Sequence, residues 1–520
     1  MTPAQASGLV HLPLQEWAYT RAQTPAIASA SQTLTFAQLQ QAVSQRAHAL
    51  TQTQAPASVW VDAAHNQVAR LVDFLGIVAS GRAAAVADPD WPSAVATSVH
   101  AALPMQPCTL HTAQPDAAFY IGFTSGSTGL PKGFRRSHRS WVESFKVCQS
   151  DFGPLAGSRL LVPGRDAHSL FLFGMLLGLW TGAGVVVQER FSAAAVLEVL
   201  RQGQTPGLVS TPSQLVLLLD LAQHRQLAPL LALRLILISG ARWLRHRTPE
   251  LQALFPQARI IEFYGACETS FIAWMDSAAD APSAVVGHPF STVALQLRPL
   301  PNTAQEKAAP LSAAMDKAAP EASLGLIYVR SPMLFMDYVQ AVDADPDASA
   351  ALRDGEWLTV HDIGYLDAQG RLCLGGRARR MIVTRGKNLF AEELEAVLQA
   401  HPAIAAASVH GVADARRGAQ VVAIIRWANA TDATVPADPQ PDTPPTRPSA
   451  QDIRNWCQHH LEAYKAPRKL FVCANWPFTA SGKTQHSLLA DSLQAHLQPQ
   501  SSPLTPTPSL LCPPPLQALP

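Results

Sequence analysis

The 520-residue chain has no surplus of charge of either sign: 39 lysines and arginines face 38 aspartates and glutamates. No basic surface argues for nucleic acid, and no charge bias argues for a membrane face. The seven cysteines (Cys108, Cys148, Cys267, Cys373, Cys457, Cys473 and Cys512) are scattered, without a C-x-x-C pair. Neither a disulfide framework nor a metal-binding cysteine cluster is suggested. Residues 1–14 lack the basic start and continuous apolar core of a signal peptide, so a cytoplasmic, bacterial-type enzyme is expected. There is no internal repeat.

One stretch lacks charge altogether. From Ser169 to Val187 no ionisable side chain interrupts the run, which approaches the length of a membrane span. Gly174, Gly178, Gly182 and Gly184 break it, however, and Trp180-Thr181-Gly182 reads as a helix end turning into the strand Val185-Val186-Val187. A buried helix followed by a buried strand is expected, not a transmembrane span.

What is present indicates a large α/β protein. The length predicts two or more domains, and 48% hydrophobic residues suffice for sizeable cores. Apolar, β-branched runs predict strands over 58–61, 83–87, 159–162, 184–188 and 233–238. Helical patterns fall over 36–50, 68–79 and 213–221. A more β-rich region begins at Gly325, after an Ala/Lys/Glu-rich insertion over 302–323. Beyond residue 380 the pattern is a small α+β unit: strands over 381–384, 406–412, 421–427 and 469–473, helices over 391–399 and 451–461. The proline-rich segment 431–448 reads as an excursion, and the Pro/Ser/Thr/Leu-rich stretch after 498 as a disordered tail.

The most specific feature is Thr124-Ser125-Gly126-Ser127-Thr128-Gly129-Leu130-Pro131-Lys132-Gly133, after the apolar lead-in Tyr120-Ile121-Gly122-Phe123. Glycines let backbone N–H groups converge, hydroxyls add donors and Lys132 adds a charge, a combination suited to polyphosphate oxygens. The spacing is not the Walker pattern. The string closely resembles the phosphate loop of adenylate-forming enzymes: acyl-CoA synthetases, amino-acid-activating domains and luciferases. Three more stretches follow in that family's order. Glu262-Phe263-Tyr264-Gly265-Ala266-Cys267-Glu268 resembles its Tyr-Gly-x-Thr-Glu segment. His361-Asp362-Ile363-Gly364-Tyr365-Leu366-Asp367, continuing to Gly376-Arg377, resembles its ribose and hinge segment. Pro477-Phe478-Thr479-Ala480-Ser481-Gly482-Lys483 resembles the segment bearing its catalytic lysine.

The resemblance implies an α/β multidomain fold. It has a large N-terminal adenylation domain (1–376) of layered α/β sheets with a β-rich subdomain and a hinge (377–380). A small mobile α+β C-terminal domain (381–495) and a proline-rich tail (496–520) complete it. It also implies a reaction in two halves: a carboxylate attacks the α-phosphate of ATP, and a thiol then displaces AMP from the acyl-adenylate. Residues Thr124, Ser125, Gly126, Ser127, Thr128, Gly129 and Lys132 would hold the phosphates. Glu268 would bind Mg²⁺, a hard cation suited to carboxylate and phosphate oxygens. Tyr264 and Gly265 would lie at the adenine, Cys267 near the α-phosphate, and Asp362 with Arg377 at the ribose. Lys483, with Lys132 and Glu268, would carry catalysis by countering charge gathered in the transition state. Arg379 stands at the hinge position, and Gly386 resembles the glycine of the coenzyme A channel.

Two departures stand out: Cys267 replaces the usual Thr, and Val360-His361 replaces the common Thr-Gly. His168 resembles the histidine beside the acyl site of acyl- and aryl-CoA ligases. Ser169 falls where amino-acid-activating domains carry the aspartate that grips the substrate ammonium, which disfavours an amino acid; Asp166 is nearby. The implied acyl pocket comprises His168, Ser169, Ser239, Gly240, Ala241, Phe263 and Ala266. The expected function is an AMP-forming acyl- or aryl-acid–CoA ligase using ATP, Mg²⁺ and coenzyme A. The alternatives are a standalone adenylation enzyme that loads an acyl or amino acid onto a carrier protein, and a non-catalytic nucleotide-binding relative. The run Gly122-Phe123-Thr124-Ser125-Gly126 superficially resembles a hydrolase nucleophile elbow, with its serine one place off.

Overall fold

The structure, a computed structural model, describes residues 2, 5, 7–101, 112–125, 131–300, 324–339, 349–384, 387–414, 417–428, 447–478, 484–497 and 514–519. The expected insertion 302–323, most of the excursion 431–448 and most of the tail lie outside them. The chain divides into two compact units, Met1–Leu295 with Val329–Val360, and Gln296–Tyr328 with His361–Pro520.

In the first unit, parallel pairing orders the strands Pro25–Ala28, Val185–Val187, Leu160–Val162, Gly207–Ser210, Leu235–Ile238 and Arg259–Ala266 into one sheet. Ser270–Asp276 turns back antiparallel to extend it. Parallel strands need crossovers, and the amphipathic helices Ala193–Arg201, Pro212–His224 and Thr248–Leu254 supply them. Their Leu197, Leu215 and Leu251 close on Leu208, Ile236 and Ile260 in one buried cluster. A second sheet has the order Asp337–Tyr338, Pro131–Ser137, Ala118–Ser125, Ala83–Ala85, Ser58–Trp60. The observed strands are one to two residues shorter than the runs that predict them, and the flanking Val61, Val86 and Leu233 are buried at their ends.

The uncharged run folds as the helix Ser169–Trp180 and the strand Val185–Val187. Gly178 is required where the chain doubles back: a Cβ there would meet the Gly184 carbonyl oxygen at 2.6 Å. Among the described residues no helix is long and apolar enough to cross a membrane.

In the second unit, the strand Gly418–Trp427 is central and lies between Ile404–Asp414 (antiparallel) and Lys469–Val472 (parallel). Its alternate residues bury on both faces. Val421, Ala423 and Ile425 pack under the helices Ala391–Gln399 and Ala450–His460, while Val422 and Ile424 pack under His486–Leu497. Burial on two faces explains the continuous apolar run over 421–425. Ser449 starts its helix with a capping box closed by Asp452.

Candidate active site

The two described ends of the phosphate-loop string lie on paired strands. Ala118–Ser125 pairs antiparallel with Pro131–Ser137, placing Thr124 opposite Lys132 and Phe123 opposite Gly133. Gly126, Ser127, Thr128 and Gly129 lie outside the described residues, as does the Ser125 side chain. The return strand is not evident from sequence, since it contains Pro131, Lys132, Gly133 and two arginines; Pro131 is tolerated because it opens the strand. A strand followed by an antiparallel strand excludes the nucleophile elbow, which needs strand, turn and helix.

A second hairpin supplies the carboxylate. Arg259–Ala266 and Ser270–Asp276 are joined by Cys267, Glu268 and Thr269, with a register shift between Tyr264 and Gly265. Only glycine fits at 265, because a Cβ would lie 1.8 Å from the Ser270 carbonyl oxygen. Thr269 Oγ1 accepts from Ala266 N at 3.0 Å and stiffens the turn. Arg136, buried between sheet and turn, donates to the carbonyls of Cys267 at 2.8 Å and Met333 at 2.6 Å. Burial pulls its guanidinium down to about 10. Phe335 N donates to the Glu268 carbonyl at 2.8 Å.

Glu268 and Lys132 meet around one side chain, Tyr338. The phenol donates to Glu268 Oε1 at 2.6 Å, and Lys132 Nζ lies 3.5 Å from the ring centroid. Tyr120 Oη lies 3.2 Å from Ser169 Oγ, and Ser169 Oγ lies 3.7 Å from Cys267 Sγ, tying the phosphate strand to the turn. Burial holds the Tyr120 phenol well above its ordinary value, with the Ser169 contact opposing the shift.

The predicted acyl-pocket residues partly converge. A Cβ on Gly240, whose φ is +92°, would sit 4.0 Å from His168 Cε1. Ser239 Oγ donates to the Phe263 carbonyl at 2.8 Å, and the Phe263 and Phe271 rings meet edge-on at 5.1 Å. Ala266 is half-buried in the hairpin, whereas Ala241 is exposed. Asp166 does not face this group as a spare anion. It is buried against Arg70, whose Nε lies 2.9 and 3.0 Å from the two carboxylate oxygens.

In the second unit, Asp362 and Arg377 are cross-strand partners. Arg377 Nε donates to Asp362 Oδ1 at 3.2 Å; the carboxylate is buried and the guanidinium exposed. His361, just before it, has φ +61°, a left-handed conformation natural to glycine. Gly386 and Lys483 lie outside the described residues, as does the Arg379 side chain. The residues flanking Lys483 are tied together: Phe478 bridges Thr484, Trp476 Nε1 donates to Thr484 Oγ1 at 3.1 Å, and Gln485 N donates to the Pro477 carbonyl at 2.9 Å.

Comparison with known proteins identifies the family. The family described as "AMP-binding enzyme" matches residues 93–339, and "AMP-binding enzyme C-terminal domain" matches residues 393–483. An uncharacterized acyl–CoA ligase of Bacillus subtilis (strain 168), YhfT, is 34% identical over 392 residues, covering 75% of this chain and 71% of that protein. The chain belongs to the AMP-binding enzyme family. The chloroplastic/peroxisomal 2-succinylbenzoate–CoA ligase of Arabidopsis thaliana is 29% identical over 401 residues, 75% of this chain and 70% of that one. The structure of O-succinylbenzoate coenzyme A synthetase (MenE) from Bacillus subtilis, in complex with AMP, shares the fold at a TM-score of 0.74. Its identity is 20%, over 91% of this chain and 96% of that one.

For an AMP-binding enzyme the donor set around Glu268 fits magnesium. Among the described residues there is no cluster of three or more His, Cys, Asp or Glu able to cage a metal. Mg²⁺ is commonly held by one or two carboxylates together with substrate phosphates, so a lone carboxylate such as Glu268 is compatible with it. Sequence reasoning missed Tyr338 and Arg136. Nothing local marks Arg136, whose strand also carries Lys132 and Arg135, and nothing local marks Tyr338.

Proposed function

We propose that this protein is an AMP-forming acid–thiol ligase that activates an aliphatic or aromatic carboxylic acid and transfers it to coenzyme A. The observation that carries the reading is the meeting of Lys132, at the mouth of the phosphate hairpin, with Glu268, at the tip of the neighbouring one. In the first half-reaction a carboxylate oxygen bonds to the α-phosphorus of ATP, the bond to the β-phosphate oxygen breaks, and pyrophosphate leaves. Both reactants are anionic, so the chain's task is chiefly positional and electrostatic. Lys132 and the residues 124–129 bind the leaving phosphates, and Asp362 accepts from the ribose hydroxyls while Arg377 braces it. Mg²⁺ bound at Glu268 would neutralise phosphate charge. Lys483 serves the reacting oxygens.

In the second half-reaction the thiol loses its proton, attacks the acyl carbonyl and expels AMP. A hinge at 377–380, including Arg379, would carry the small domain 381–495 away from the large domain 1–376 and open a channel past Gly386. The acid would lie among His168, Ser169, Ser239, Gly240, Ala241, Phe263 and Ala266. The Arg70–Asp166 pair supports a substrate without an α-ammonium group, because the nearby anion is already neutralised.

The test is acid-dependent pyrophosphate release across fatty, aromatic, dicarboxylic and amino acids, with and without coenzyme A. One responding acid class, with the thioester formed, is the expected result. Turnover only with a carrier protein would change the acceptor. Silence with ATP binding intact would overturn the catalytic reading.

A further inference from the structure

We propose that Tyr338 is a positioning residue for the adenylation site, orienting the metal carboxylate through its hydroxyl and the phosphate lysine through its ring. The inference rests on the reading of Glu268 and Lys132 given above. The contacts are specific. A carboxylate only accepts, so the 2.6 Å contact to Glu268 Oε1 is a phenol donating to an anion, in the short range of charge-assisted O–H···O bonds. The phenol's hydrogen bond to Oε1 fixes the orientation of the carboxylate that would hold a cation. The opposite demand, holding a flexible ammonium, falls to the π-face of the same ring, 3.5 Å from Lys132 Nζ.

Tyr338 is itself built in from several directions. Its strand Asp337–Tyr338 pairs with the phosphate hairpin, Tyr338 opposite Phe134 and Asp337 opposite Arg135. Arg135 Nε donates to Asp337 Oδ1 at 2.6 Å. Tyr338 N donates to Ser349 Oγ at 2.9 Å, and the Phe335 ring meets Tyr338 edge-on at 5.0 Å. Phe335 N also holds the Glu268 carbonyl at 2.8 Å, so the segment carrying Tyr338 is fixed to the turn it serves. A side chain that only filled space would not need its hydroxyl on one functional group and its face on another. Partners that orient a metal ligand typically change metal affinity by about 10–100-fold when removed.

The hydroxyl and the ring can be removed separately. ATP affinity is measured by calorimetry with Mg²⁺ and with excess chelator, on the full chain, for wild type, Tyr338→Phe, Tyr338→Leu and Glu268→Gln. In Tyr338→Phe the metal-free affinity should be unchanged, and the enhancement by Mg²⁺ should fall about tenfold. Tyr338→Leu should lose that enhancement and also weaken metal-free ATP binding several-fold, as Lys132 is released. Mn²⁺ bound in the presence of ATP, counted by electron paramagnetic resonance, should weaken in step. An unaltered Mg²⁺ enhancement in Tyr338→Phe, with that of Glu268→Gln lost, overturns the inference alone. An unaltered enhancement in Glu268→Gln overturns the metal reading and the inference with it. An equal loss in Tyr338→Phe with and without metal marks a merely structural role and also overturns it.

Discussion

The Arg380 guanidinium meets the His486 imidazole at 3.4 Å, Nη1 to Nε2. A guanidinium only donates, so Nε2 accepts and the ring proton sits on Nδ1. Nδ1 then donates to Ser408 Oγ at 2.7 Å, and the serine hydroxyl donates onward to His410 Nε2 at 2.8 Å. Glu392 and Glu395 hold Arg380 from the facing helix. The chain of donors is complete only with both imidazoles neutral.

That relay predicts an acid-sensitive second unit. Burial, with Arg380 adding to it, pulls His486 from 6.5 to about 3 and His410 to about 4. Below about 6.5 the unfolded imidazoles take up protons that the folded ones refuse, so stability rises with pH through this window. It is fully present above that range and is lost as pH falls toward the folded values. Replacing His486 with Gln should flatten the acid limb, as read from urea midpoints between pH 7 and pH 4.5, with hydrogen exchange over 404–427 reporting the unit. An unchanged slope would refute the relay.

His361 offers a stability gain. An L-residue in the left-handed region costs roughly 1–2 kcal/mol, and glycine's extra freedom in the unfolded chain returns about 0.5–1 of that. The variant His361→Gly should therefore be stabilised by up to about 1.5 kcal/mol, whereas His361→Ala keeps the strained φ of +61° and should gain nothing. Denaturant midpoints of the two variants decide the matter.

A thiol such as Cys267 is a weaker hydrogen-bond donor than the threonine that the family resemblance leads one to expect there. Its Sγ lies 3.7 Å from Ser169 Oγ in a turn otherwise fixed by Arg136 and Thr269. Restoring one hydroxyl hydrogen bond is worth about 1 kcal/mol, or roughly fivefold in rate if made only in the transition state. In Cys267→Thr, kcat for pyrophosphate release should rise by that factor with the KM for the acid unchanged. A fall in kcat would show that the thiol is preferred.

Lys483 should matter to one half-reaction alone. Loss of its charge in Lys483→Ala should lower adenylation on the order of a hundredfold or more. Thioester formation from supplied acyl-adenylate should persist. Single-turnover measurement of each half separates the two, and equal loss in both would count against a role confined to adenylation.

The motifs were legible because each is local. The phosphate string, the Tyr-Gly turn and the Asp362 segment carry their chemistry within a few residues, and the central strand 418–427 shows itself through its apolar run. Tyr338 and Arg136 were illegible for the opposite reason. Tyr338 gains its role from Glu268 and Lys132, and Arg136 from carbonyls at Cys267 and Met333, all brought in by sheet pairing across long stretches of chain. The departure at His361 was visible as a residue type, but its meaning appeared only with its dihedral angle.

The burial of Arg70 against Asp166 has an evolutionary consequence. Their side chains are 3% and 1% exposed, and removing one partner would strand a buried charge at about 3–5 kcal/mol. Freeing Asp166 to greet an amine therefore demands that Arg70 change in the same step. On the proposed reading, a preference against amino acids would be guarded by a valley between two residues, which a lineage acquiring substitutions singly does not readily cross.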